Sequence, residues 1–336
     1  MKIQFFIAAI LISQVGSGQE IIFPGLKGDS LKNAIIAFYT PSKILPYDQA
    51  RAKLYNDVFL LSYSLECFYS GYKIQVDKNI NILSWTAKYG MQTEHLYPRS
   101  KGADKHPAIG DLHHLVPAKA TINTLRKNAP YMDVEDTKTR YWLLGDKVFL
   151  VPDRNKIDAY SEYVSGGFEP RESKKGDVAR SIFYFYTLYH QQANKSDNRF
   201  FPSMLTDLCR WHRKDIVDSA EWNKTMSIGR IQGNVNPFVI DATLAERCSC
   251  SAVISESPKS YIMELYPNPT KGLFYISIPE YNGQIVMSIK TDNGKLISAH
   301  YLMYSGLLTW RLTPGIYDID LKLESGQVMG KMVLVR

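Results

Sequence analysis

Met91-Gln-Thr-Glu-His-Leu-Tyr-Pro98, Gly110-Asp-Leu-His-His-Leu-Val-Pro-Ala118 and Ile122-Asn-Thr-Leu-Arg-Lys-Asn128 decide how this chain is read. Trp85 to Pro98 predicts a strand that ends at the proline, which has no amide to give to a ladder. Asp111 to Val116 predicts a second strand, and Arg99 to Ile109 a short connection between the two. Ala118 to Lys127 has helix-forming composition, with Asn123 and Arg126 one turn apart. A strand, a strand and a helix in that order bring Glu94, His95 and Asn123 into one compact unit.

The residue types suit phosphodiester hydrolysis. Glu94 offers a carboxylate and Asn123 a neutral carbonyl oxygen, the ligands a hard divalent cation prefers. Two protein ligands leave room for water and a phosphate oxygen. His95 titrates near neutrality and can take a proton from the attacking water, with an acid limit expected below about pH 6. His113 and His114 fall on the second expected strand, where neighbours face opposite ways. One is therefore expected in the core and the other exposed.

Outside this unit the chain has two textures. Up to about Ala252 helical periodicity dominates. Asp48 reads as the N-cap of a helix, and Val178–Gln192, Ser203–Arg213 and Ser219–Ile231 read as further helices. The aromatic residues Phe183, Phe185, Tyr186 and Tyr189 form a stripe that suits a core better than a base-stacking platform. Ser251 to Ser260, rich in serine, reads as a linker. Beyond it come short alternating runs, Leu273–Ile278, Ile285–Ile289, Leu308–Leu312, Ile316–Leu321 and Met332–Val335, with Asp292-Asn-Gly294 as a hairpin turn. They predict a small all-β sandwich.

Length, charge and cysteines add bounds. The chain has 336 residues and a net charge of +7, which suits polyanionic partners and equally a solvated mixed surface. Lys2, the apolar run Phe5–Ile12 and the small residues Gly16–Gly18 read as a signal peptide, residues 1–18. No later run is long and apolar enough to span a membrane. Four cysteines in an exported chain predict disulfides. A Cys248–Cys250 ring is strained, so Cys67 with one of that pair and Cys209 with the other are expected.

Thr93-Glu-His-Leu-Tyr-Pro98, Gly110-Asp-Leu-His-His-Leu-Val-Pro-Ala118 and Ile122-Asn-Thr-Leu-Arg-Lys-Asn128 resemble the His-Me finger, or ββα-metal, motif of the bacterial endonuclease I family. Phe168-Glu-Pro-Arg-Glu-Ser-Lys-Lys-Gly-Asp-Val-Ala-Arg180, Trp211-His-Arg-Lys-Asp-Ile-Val-Asp218 and Ile231-Gln-Gly-Asn-Val-Asn-Pro-Phe238 are similar to its later blocks. The resemblance covers about residues 22 to 245. It implies an α+β, mainly helical nuclease domain over residues 19–250, cutting DNA and possibly RNA with little sequence preference. His95 would be the general base, and Glu94 and Asn123 would hold Mg²⁺ or another hard ion such as Ca²⁺ or Mn²⁺. Products would end in 5′-phosphate and 3′-hydroxyl. Arg99, Lys101, Lys105 and Arg126 compete to steady the phosphate, Arg99 and Arg126 being the substrate-binding choices. Asp177 and Arg180 suit a structural ion pair.

Tyr266-Pro-Asn-Pro-Thr-Lys-Gly272, Leu312-Thr-Pro-Gly-Ile-Tyr317 and Gly330-Lys-Met-Val-Leu-Val335 resemble a type IX secretion sorting domain, residues 261–336, after a linker at 251–260. That resemblance implies the type IX machinery as a partner and a secreted or surface location. A monomer is expected. Two other readings compete: a surface nucleic-acid-binding or adhesive protein with a degenerate nuclease site, and a metal-dependent phosphatase or lipid phosphodiesterase with a deep pocket.

Overall fold

The computed structural model describes residues 21–78, 80–252, 261–279, 281–304, 306–323 and 328–336. The expected signal peptide and most of the expected linker lie outside them. The chain divides into two compact units, Met1–Val253 and Ile254–Arg336, each with its own hydrophobic core.

In the first unit, helices α1 (Gly28–Tyr39) and α2 (Tyr47–Lys53) lead into a π-helical turn, Leu54–Phe59. Asp48 does not cap α2. Pro46 takes the cap position, and Asp48 sits inside the first turn, where its charge still faces the positive end of the helix. A short hairpin follows, β1 (Ser64–Glu66) with β2 (Lys73–Gln75).

Residues expected to begin the first strand instead form helix α3 (Ile82–Lys88). Asn81 caps it by accepting the Ser84 amide, and Gly90 ends it at φ 67, a backbone state that favours glycine. Strand β3 is therefore only Met91–His95. It pairs antiparallel with β4 (Leu115–Lys119), which runs directly into helix α4 (Ala120–Arg126).

A four-stranded antiparallel sheet follows, in the order β6 (Lys147–Phe149), β5 (Tyr141–Leu144), β7 (Ser161–Val164), β8 (Gly167–Glu169). The helical half comprises α5 (Lys175–Asp197), α6 (Phe200–Lys214), α7 (Ser219–Gln232), α8 (Pro237–Ile240) and α9 (Thr243–Cys248). Helix α5 is the axis of this core. Phe183, Phe185 and Tyr189 of the aromatic stripe are buried on it, while half-buried Tyr186 stacks on Phe201 with centroids 3.8 Å apart. Arg180 binds Glu221 from Nε at 2.8 Å and lies 4.0 Å from Asp177, which pairs instead with Lys174 at 3.0 Å. The expected Asp177–Arg180 pair is thus a minor contact within a larger network.

Cys209 and Cys250 form a disulfide, clasping α6 to the end of this unit. Cys67 and Cys248 are buried free thiols, so the second expected bridge is absent. The Cys67 sulfur accepts the Lys119 amide.

The second unit is all β. One sheet orders β13 (Leu307–Arg311), β10 (Leu273–Ser277), β9 (Glu264–Tyr266). The other orders β12 (Leu296–Tyr304), β11 (Gly283–Thr291), β14 (Gly315–Leu323), β15 (Val328–Val335). Alternate residues Ile285, Met287 and Ile289 face the core, as do Ile319, Leu321 and Leu323. The Asp292-Asn-Gly294 turn joins β11 to β12, with Gly294 at φ 82.

Candidate active site

Glu94 and His95 close β3, opposite Val116 and Leu115. Neighbours on a strand face opposite sides, so carboxylate and imidazole diverge from one backbone step. Glu94 turns into a buried polar nest. Its Oε1 accepts the Tyr69 hydroxyl at 3.1 Å and Arg126 Nη1 at 2.8 Å, and its Oε2 accepts the His95 amide at 3.1 Å. The Tyr69 and Tyr131 hydroxyls are 2.6 Å apart, and the Arg126 guanidinium lies 4.5 Å from the Tyr131 ring centroid. Burial pushes the Glu94 carboxyl above its ordinary range, against the Arg126 charge and the Tyr69 hydrogen bond, which pull it down.

Arg126 is fully buried. It also donates to the His95 carbonyl at 3.0 Å and the Leu96 carbonyl at 2.9 Å. Expectation placed it against substrate phosphate, and the structure corrects this. Its charge is matched internally by Glu94, and it locks α4 to the end of β3.

His95 is also buried, its ring 5.3 Å from those of Tyr47 and His114. Its Nε2 lies 3.1 Å from the Ile109 carbonyl. A carbonyl only accepts, so the neutral ring carries its proton on Nε2, which leaves Nδ1 as the basic atom. Among the described residues Nδ1 has no hydrogen bond and is not sealed from solvent. Burial pushes the His95 pKa down to about 3, with His114 adding to the effect. Burial thus favours the neutral, proton-accepting form of the ring.

The Ile109 carbonyl belongs to a 3₁₀ turn, Ala108–Gly110. Gly110 is required there, since a Cβ would lie 2.5 Å from the Leu45 carbonyl oxygen. Buried Asp111 anchors the turn by accepting the Tyr184 and Tyr189 hydroxyls at 2.8 and 2.7 Å, Gln232 Nε2 at 2.8 Å and the His113 amide at 3.0 Å. That last bond caps a second 3₁₀ turn, Leu112–His114, where a strand was expected. His113 and His114 are consequently both buried rather than one in and one out. They bind the carbonyls of Asn234 at 3.0 Å and Ala108 at 2.7 Å, and burial holds both pKa values down, His113 to about 4.

Asn123 is half-buried on α4 and donates from Nδ2 to Gln92 Oε1 at 3.2 Å. Gln92 and Glu94 share one face of β3, and Arg126 reaches Glu94 one turn after Asn123. Helix α4 thus lies along the face of β3 that carries Gln92 and Glu94. Asn123 Oδ1 takes no hydrogen bond from the described residues. Arg99 is exposed at the start of a 3₁₀ turn, Arg99–Lys101, and its charge adds to those that disfavour protonation of His95. Lys101 is engaged with Asp197 at 2.8 Å, and Lys105 is exposed.

Tyr47, Tyr69, Tyr131 and the Ile109 carbonyl escape a reading by motif, because isolated tyrosines and a backbone oxygen carry no spacing signal. Gln232 and Asn234 lie in a block that stood out in the sequence, and their contact with the Asp111 turn explains its position beside the site.

Among the described residues no helix is long and apolar enough to cross a membrane. The chain is 28% identical to an "Extracellular ribonuclease" of Bacillus subtilis, over 64% of this chain and 72% of that protein. It is 32% identical to an "Extracellular ribonuclease" of Bacillus amyloliquefaciens over 44% of this chain and 49% of that protein. An "Extracellular deoxyribonuclease" of Aeromonas hydrophila is 28% identical over 39% of this chain and 49% of that protein. Residues 264–335 match the secretion system C-terminal sorting domain, which marks the chain for type IX export. Residues 33–243 match the family model of Endonuclease I, so the chain belongs to the Endonuclease I family and is a nuclease by that membership.

Proposed function

We propose that this protein is a secreted, metal-dependent, non-specific endonuclease acting on DNA and possibly RNA. The observation that carries the mechanism is the His95 Nε2 contact with the Ile109 carbonyl, which leaves Nδ1 free to take a proton from the attacking water. The strand–strand–helix arrangement of β3, β4 and α4 supports the reading of a ββα-metal motif. The oxygens available on the Glu94 and Asn123 side fit a hard divalent cation. Glu94 Oε2 accepts only one backbone amide, and Asn123 Oδ1 has no partner among the described residues. Glu94 and Asn123 would hold Mg²⁺, or Ca²⁺ or Mn²⁺. Bound there, such an ion would neutralise charge developing on the scissile phosphate.

Arg99 is the phosphate-steadying residue in this reading, being exposed and electrostatically coupled to His95. Arg126 acts one step back, fixing Glu94 and α4. Cleavage of the bond to the 3′ oxygen leaves 5′-phosphate and 3′-hydroxyl ends. The test is plasmid cleavage by the intact protein with Mg²⁺, repeated with EDTA and with His95→Ala. EDTA should abolish cutting, and His95→Ala should slow it by roughly 10²–10⁴-fold. Equal cutting under all three conditions rejects the mechanism. Tight, salt-sensitive DNA binding without cleavage would favour the degenerate-site alternative.

A further inference from the structure

Helix α7 and the π-helical turn Leu54–Phe59 frame a cavity of about 470 Å³, within the range of small-molecule sites. Val58, Phe59, Leu60 and Phe68 give it apolar walls. Most of the charges on its lining are already matched. Lys174 pairs with Asp177 at 3.0 Å, Arg171 with Glu66 at 2.7 Å, and Glu221 with Arg180 at 2.5 Å.

Lys224 is the exception. It is only 9% exposed, and its Nζ lies 5.8 Å from the ring centroids of both Phe59 and Phe68. Among the described residues this ammonium takes part in no hydrogen bond or ion pair. Burial pushes its pKa below the ordinary lysine value, while Asp177 and Glu221 oppose that shift from a distance. The Nζ itself is not sealed from solvent, so at the wall of an apolar cavity it offers an unpaired positive charge to an anionic ligand.

We propose that this cavity binds a small organic anion, one carboxylate carried on an apolar or aromatic body. The carboxylate would sit on Lys224 and the body against Phe59, Phe68 and Val58. A single negative charge suits the position, because Lys224 offers one unpaired positive charge while Asp177 and Glu221 are matched by Lys174 and Arg180. The inference is independent of the nuclease mechanism, since none of these residues belongs to the Glu94–His95 site.

The test titrates the intact protein with octanoate and with phenylacetate, followed by calorimetry. Octanol serves as the uncharged control and octyl phosphate as the doubly charged one. Both carboxylates should bind, and octanol should bind at least about tenfold more weakly. Lys224→Met should weaken carboxylate binding by about tenfold or more, equivalent to about 1.4 kcal/mol. It should also leave Tm unchanged or higher, since the charge removed had no partner. Val58→Trp, which fills the cavity from a half-buried wall, should block both carboxylates. Carboxylates no tighter than octanol, octyl phosphate tighter than either, or unchanged affinity in Lys224→Met would each overturn the proposal. So would a lower Tm for Lys224→Met, which marks a structural charge.

Discussion

Two arginines that look interchangeable in the sequence have opposite placements. Arg126 is buried against Glu94, so Arg126→Met leaves a carboxylate unmatched in the core. The expected loss is about 3–5 kcal/mol of stability, read by urea unfolding. Arg99→Ala should leave the unfolding midpoint where it is and lower the cleavage rate by roughly 10²-fold, read in steady-state kinetics. Equal effects of the two substitutions on stability would contradict the burial of Arg126. The histidines carry a second prediction. His113 is held neutral with a folded pKa of about 4, against an ordinary value near 6.5. Between those values the unfolded chain takes up a proton that the folded chain refuses, so stability from this group is lost as pH falls from about 6.5 to about 4. His113→Gln removes the titration while keeping a donor for the Asn234 carbonyl. Relative to that variant, the natural protein should lose up to about 1.4 kcal/mol per pH unit over this window, measured by urea unfolding at pH 6.5 and pH 5.

At the scale of elements, the turn Ala108–Gly110 sets the tautomer of the proposed base. Gly110→Ala forces a methyl group against the Leu45 carbonyl, so the turn must shift and carry the Ile109 carbonyl away from His95. Cleavage should fall by about tenfold or more, while Mg²⁺ affinity, which the proposal assigns to Glu94 and Asn123, stays within about twofold. Parallel losses in rate and ion affinity would instead indicate general collapse. The strand, strand and helix were legible in order because Pro98 bounds the first run and helix-forming composition follows Ala118, whereas Pro117 marks no edge and lies within β4 opposite Thr93. Their edges were not. Asn81 and Gly90 cut a helix out of the expected first strand, and the Asp111 side chain turns Leu112–His114 into 3₁₀ geometry through one local hydrogen bond. The burial of Arg126 was illegible for a different reason. Its surroundings come from Tyr69 and Tyr131, residues far apart in the chain whose meeting depends on the whole fold.

For the whole molecule, the proposed function together with a net charge of +7 and an exposed Arg99 predicts recognition through phosphates rather than bases. Cleavage measured at subsaturating plasmid should therefore decline steeply between about 50 and 200 mM salt, as released counterions are forced back into competition. A flat profile would count against a phosphate-tracking surface. The division into helical and β textures was readable from the change of period near Ser251. The pairing of the cysteines was not, because sequence spacing says nothing of which sulfurs meet in space. The bridge that did form has a consequence for maturation. Cys250 stands just before the boundary between the units, so if the sorting domain is cut away, the new carboxyl end is already fastened to α6. Fraying from that fresh terminus, and the nibbling by exopeptidases that fraying invites, would stop at the clasp.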